Sequence, residues 1–113
     1  MNDNNDNNQT LHAEISILPI GTDNTSISKE VAAAFDAIRK TKDIKTAKLT
    51  AMGTQIEANN IRAILNSIEA AHHAVKSTGA KRMISSIRIA ERLDASSRTL
   101  EDEVKSVTEK LSI

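Results

Sequence analysis

The chain has 113 residues, no cysteine and a single aromatic residue, Phe35. That length suits one domain with a core of its own, and the lack of cysteine excludes a disulfide scaffold and cysteine-ligated zinc. Fifteen basic and fifteen acidic residues cancel, so no overall field draws nucleic acid or anionic lipid; base stacking lacks aromatic platforms, and no apolar run approaches the ~20 residues of a membrane helix.

Residues 1–10 (MNDNNDNNQT) are mostly Asn and Asp. They have little to bury, which predicts a disordered tail ahead of a single domain over residues 11–113. They carry neither the apolar stretch of a signal peptide nor the arginines of a transit peptide, so a cytoplasmic protein is expected.

Residues 11–20 (LHAEISILPI) alternate, with Leu11, Ala13, Ile15 and Ile17 on one side and His12, Glu14, Ser16 and Leu18 on the other. A period of two predicts a strand with one face on a core, and Pro19 suits its end. After a loop at residues 21–24 the period changes. Ile27, Val31, Ala34, Phe35 and Ile38 form one helical stripe, with Ser26 or Ser28 as the expected N-cap. Arg39, Lys40 and Lys42 follow at the C-terminal end, where the helix dipole favours cations.

Residues 44–52 alternate again, Ala47, Leu49 and Ala51 against Lys48, Thr50 and Met52. Gly53 reads as a hairpin turn or bulge, because glycine adopts positive φ at little cost. Thr54 to Ala58 then read as a short strand. The strongest helical pattern covers residues 60–79 through Ile61, Ile64, Leu65, Ile68, Ala71, His72 and Val75, capped by Asn59 or Asn60 and ended by Gly79. Residues 81–90 form a fourth strand, with Met83, Ser85, Ile87 and Ile89 opposed to Arg82, Ile84, Ser86 and Arg88. Thr99 and Asp102 have the spacing of a capping box ahead of a third amphipathic helix through Leu100, Val104, Val107 and Leu111.

The order β-α-β-β-α-β plus a C-terminal helix predicts an α+β, ferredoxin-like domain: one antiparallel four-stranded sheet with two helices on one face. Parity then assigns the uncovered face to Glu14, Ser16, Leu18, Lys48, Thr50, Met52, Ile84, Ser86 and Arg88. Gln55 and Glu57 join them if Ile56 points at the helices. A solvated face has no need of Leu18, Met52 and Ile84, and a dry core tolerates Glu14, Glu57 and Arg88 only if they are paired. Two arrangements satisfy both: sheets meeting face to face around a small-molecule site, or an intersheet salt-bridge network of those charged groups.

Four runs, in order and in register, carry a resemblance. These are I-L-P-I-G-T (residues 17–22), S-I-S-K-E-V (26–31), M-G-T-Q-I-E (52–57) and S-S-I-R-I-x-x-R-x-D (85–94). Together they resemble the small thiamine-binding protein family across residues 12–111. The resemblance implies a ferredoxin-like subunit, homodimers or homotetramers joined through sheet faces, and non-catalytic binding of thiamine or its hydroxymethylpyrimidine part. It carries ligand contacts onto Thr22, Ser26 and Ser28 after the first strand, Gly53, Thr54 and Glu57 at the hairpin, and Arg88 and Arg92 at the fourth strand. This chain departs from the family pattern at Ala58, Ala90 and Glu103.

Such a ligand presents a thiazolium cation and an aminopyrimidine with donor and acceptor edges. Glu57 or Glu14 would pair with the cation or accept from the exocyclic amine, with Thr54, Ser86, Thr22 and Arg88 in support. No other cofactor is expected, and no nucleic-acid or membrane partner. A metabolite-sensing regulatory module answering to an amino acid is the alternative, and an anion-handling enzyme with Arg88 or Arg92 as its clamp is a third. Glu69 and His72 have the E-x-x-H spacing of di-iron bundles, but in one copy, which favours a partly buried helix histidine. Adjacent His72 and His73 point about 100° apart, a poor geometry for sharing a metal.

Overall fold

The strand and helix periods are realised in chain order as β1 (Leu11–Ile20), α1 (Ser28–Arg39), β2 (Ile44–Thr50), β3 (Gly53–Ala58), α2 (Ile61–Lys76), β4 (Arg82–Ala90) and α3 (Leu100–Thr108). The computed structural model describes residues 10–23, 25–94 and 99–111; residues 1–9 of the expected tail lie outside them. The strands form one antiparallel sheet in the order β2-β3-β1-β4. This is the ferredoxin-like α+β arrangement that the element order predicts.

Register fixes the two faces. Leu11, Ala13 and Ile15 of β1 stand opposite Ala58, Ile56 and Thr54 of β3, all on the helix side. They are buried with Ala34 and Ile38 of α1 and Ala63, Ile64, Ala71 and Val75 of α2. The larger aliphatic side chains among them, Leu11, Ile15, Ile38, Ile56, Ile64 and Val75, each contribute about 1.5–3 kcal/mol when fully buried. On the other face His12 and Glu14 stand opposite Glu57 and Gln55, while Glu14, Ser16 and Leu18 stand opposite Arg88, Ser86 and Ile84. The parity assignment therefore describes the uncovered face, except for Met52. That residue sits in the β2–β3 turn and is 79% exposed.

Some expectations need correction. Gly53 is not the turn residue. The turn is Ala51–Met52, and Gly53 opens β3 without a positive φ. Its lack of a side chain answers a steric demand instead, since a Cβ there would lie 2.9 Å from the Ile15 carbonyl oxygen. Neither Ser26 nor Ser28 is the N-cap of α1. That position falls on Ile27, whose side chain has no acceptor to offer. The buried row of α2 runs through Ala63, Ser67 and Ala71 as well as Ile64 and Val75, leaving Ile61 and Leu65 exposed. Small residues in that row let α2 pack closely, which an apolar count overlooks.

The caps of the later helices are as expected. Asn60 Oδ1 accepts from the Ala63 amide at 2.8 Å. Thr99 Oγ1 accepts from the Asp102 amide at 3.0 Å, and Asp102 Oδ2 accepts from the Thr99 amide at 3.2 Å. Gly79 has φ +94, the left-handed turn after α2. The amphipathic stripe of α3 finds no core: Val104, Val107 and Leu111 are exposed and no residue of the helix is buried. Among the described residues no helix is long and apolar enough to cross a membrane.

Candidate functional site

Helix α3 lies over the uncovered face at its β2–β3 half. Between them runs a groove of about 610 Å³, lined by Thr46 and Lys48 of β2, Gln55 and Glu57 of β3, and Leu100, Val104 and Lys105 of α3. That volume falls in the ~300–1,000 Å³ range of small-molecule sites.

Glu57 is the group with the most distinctive surroundings. It is only 6% exposed although it points away from the helix-covered core. Its Oε2 accepts the backbone N–H of Leu100 at 3.2 Å, at the first turn of α3. Unpaired N–H groups and the helix dipole make a helix N-terminus a favourable place for a carboxylate. Among the described residues no Lys, Arg or His nitrogen lies within 4.0 Å of it. One backbone amide uses one of roughly four acceptor positions on a carboxylate.

Two neighbours complete this part of the face. Gln55 Nε2 donates to Glu14 Oε2 at 3.4 Å, which ties β3 to β1. His12 stands directly across from Glu57, and its Nε2 is buried without a hydrogen-bond partner among the described residues. The parity of His12 with Glu14 and Ser16 already puts it on this face. The Leu100 amide had no such signal, because only the tertiary placement of α3 brings it to Glu57.

The remaining candidates divide among different places. Glu14, Ser86 and Arg88 share the sheet face with Glu57, Ser86 and Arg88 being exposed. Glu14 and Arg88 are cross-strand neighbours but form no ion pair within the subunit, nor does either with Glu57; an intersheet network of these groups would have to form between subunits. Thr54 cannot support Glu57. The two are three residues apart in one strand and face opposite sides, and Thr54 is buried beside an apolar cleft of about 250 Å³ between α1 and the β2–β3 turn. Gly53 lines that same cleft.

Thr22, Ser26 and Ser28 line a polar pocket at the β1–α1 turn. Arg92 lies past the end of β4 and donates to Asp94 Oδ1 at 2.9 Å. That bond raises the guanidinium's pKa and lowers the Asp94 carboxyl's. Both groups are exposed to solvent, so the pair is a surface contact at the end of β4. His72 Nε2 is 2.9 Å from Ser85 Oγ, a link between α2 and β4 that gives this histidine a structural partner.

Residues 13–108 match the family model described as thiamine-binding protein. The chain is 38% identical over 101 residues to the UPF0045 protein of Methanothermobacter thermautotrophicus, covering 89% of this chain and 99% of that one. Among solved structures it is similar to a hypothetical protein from Methanocaldococcus jannascii, with a TM-score of 0.77 at 34% identity over 89% of this chain and 98% of that one. It shares its fold with a Thermotoga maritima protein named as a candidate for thiamine biosynthesis or salvage. That match has a TM-score of 0.69 at 14% identity, covering 87% and 98% of the two chains.

Proposed function

The chain belongs to the thiamine-binding protein family, and on that premise we propose that it is a non-catalytic binding protein for thiamine or its hydroxymethylpyrimidine part, held in the groove between α3 and the uncovered sheet face. The observation that supports this reading is Glu57: a buried carboxylate with one backbone donor and no cationic partner among the described residues. A carboxylate removed from water without a counter-charge is costly to maintain. The exocyclic amine of the aminopyrimidine, or the thiazolium, supplies what it lacks, and Thr46 and Gln55 add neutral donors and acceptors on the same wall. The Thermotoga protein's name points in the same direction.

The reading includes self-association. The residues that α3 faces belong to β2 and β3. The β1–β4 half of the same face leaves Leu18, Ile20 and Ile84 exposed, a surface on which a second sheet can close. Light scattering at micromolar concentration is expected to give a dimer or tetramer, and a clean monomer removes this part of the proposal.

Glu57→Gln tests the site. Glutamine keeps the acceptor for the Leu100 amide and the shape of the side chain, but it removes the charge. Hydrogen bonds to charged groups are worth about 1.5–3 kcal/mol, so calorimetric affinity for thiamine and for hydroxymethylpyrimidine is expected to fall about 10- to 150-fold with the thermal midpoint preserved. Unchanged affinity in a folded variant removes Glu57 from the site.

A further inference from the structure

The β1–α1 turn meets the α2–β4 turn around a separate polar pocket of about 610 Å³. Glu30, in the first turn of α1, lines it and is 5% exposed. Among the described residues its buried Oε1 has no hydrogen-bond partner, and no cationic nitrogen lies within 4.0 Å of it. A carboxylate in that state calls for a donor, and a charged one most of all.

A second demand, of opposite sign, comes from the helix itself. The cap residue of α1, Ile27, makes no side-chain bond to the helix. The Ser28 amide reaches Ser26 Oγ only at 3.4 Å, and the amides of Lys29 and Glu30 have no acceptor among the described residues. Unsatisfied first-turn amides with the positive end of the dipole form an acceptor-seeking site. Lys81, across the pocket, adds to it. Asp23 and Glu30 balance Lys29 and Lys81 in the lining, so the pocket as a whole selects neither a net cation nor a net anion.

We propose that this pocket binds a small zwitterion, a free α-amino acid. Its ammonium donates to Glu30, and its carboxylate is held by the Lys29 and Glu30 amides of α1 and by Lys81. The site is distinct from the Glu57 groove, and neither reading depends on the other.

The test is titration of the isotope-labelled protein with the common amino acids at millimolar concentration, followed by amide chemical shifts. The expected result is saturable shifts at Lys29, Glu30, Gly79 and Lys81 with at least one of them, weakened about tenfold or more in Glu30→Gln. Thiamine titration of that variant should match the parent. Should Glu30→Gln fail to fold, derivatives of the amino acid that binds keep the proposal exposed on the parent protein: N-acetylation removes the ammonium, esterification removes the carboxylate, and both are expected to abolish the shifts. Absence of saturable shifts with every amino acid overturns the proposal. So does equal binding of either derivative, and so does thiamine displacing the amino acid at these amides.

Discussion

Replacing Gly53 with alanine separates two explanations for that glycine, a permissive turn residue or a close contact between strands. A Cβ at this position would sit 2.9 Å from the Ile15 carbonyl oxygen and 3.4 Å from both the Ile15 carbonyl carbon and Ser16 Cβ. Ordinary van der Waals separation begins near ~3.5 Å, so the strands must part by about half an ångström. Ile15 has little freedom to move, because β1 is paired on both sides, with Thr54 across one ladder and Ile87 across the other. Overpacking of this kind costs about 1–3 kcal/mol. The reduced freedom of the unfolded chain returns about 0.4–1 kcal/mol. The net expectation is a loss of about 1–2 kcal/mol, or roughly 4–10 °C in thermal midpoint for a domain of this size. Thermal and urea unfolding followed by circular dichroism measure it. An alanine variant as stable as the parent would refute the steric argument and leave the glycine to be explained by ligand approach. Gly79→Ala is the matched comparison: its φ of +94 strains any side chain, but a Cβ there meets nothing within 4 Å.

Asn60→Ala removes the cap of α2 and should cost about 1 kcal/mol in denaturant unfolding; no change would mean that another group takes over the Ala63 amide. Thr99→Ala breaks the capping box of α3 and should accelerate amide exchange in that helix about fivefold. It should leave the global midpoint in place, because no α3 side chain is buried. Asp36, bonded by Lys40 and Arg39, has its pKa lowered. Its contribution is therefore present above the ordinary carboxylate range and fades as pH falls through the depressed folded value. Asp36→Asn should reduce stability slightly at neutral pH and flatten the acid limb of the stability curve, and superimposable acid limbs would contradict the pairing. The effect is small, because the carboxylate is exposed and screened.

The element order was legible because periods of two and of three to four alternate cleanly along this chain, with Asn60, Gly79 and the Thr99–Asp102 pair as punctuation. Parity also puts Glu14, Glu57 and Arg88 on one face, as the register does. What local pattern does not contain is where an element goes once it has formed. The apolar residues of α3 mark a helix, but nothing in them says that it lies over β2 and β3 with its first turn on Glu57. Gly53 illustrates the same limit, since its neighbour is the Ile15 carbonyl oxygen on another strand. Thr54 is a different case. Two residues three apart in a strand face opposite ways, so the sequence already contained the reason to separate it from Glu57. His12 was legible on the same rule, being two residues from Glu14.

If the proposed ligand occupies the groove, the position of Glu57 ties its binding to the docking of α3. One carboxylate oxygen holds the Leu100 amide, and Leu100 and Val104 form a wall of the groove. A helix with no buried side chain is held to the sheet by few interactions, and elements of that kind open at low free energy. A ligand filling the groove contacts the helix only in its docked position, so binding must favour docking by its differential affinity for the two arrangements. Linkage makes the relation reciprocal. Whatever Thr99→Ala takes from α3 docking, up to about fivefold in population, is the most it can take from thiamine affinity through this route. The two measurements therefore constrain each other. If saturating thiamine leaves α3 exchange as fast as in the free protein, the helix is not part of the binding site and the ligand is not in this groove, whatever Glu57→Gln does.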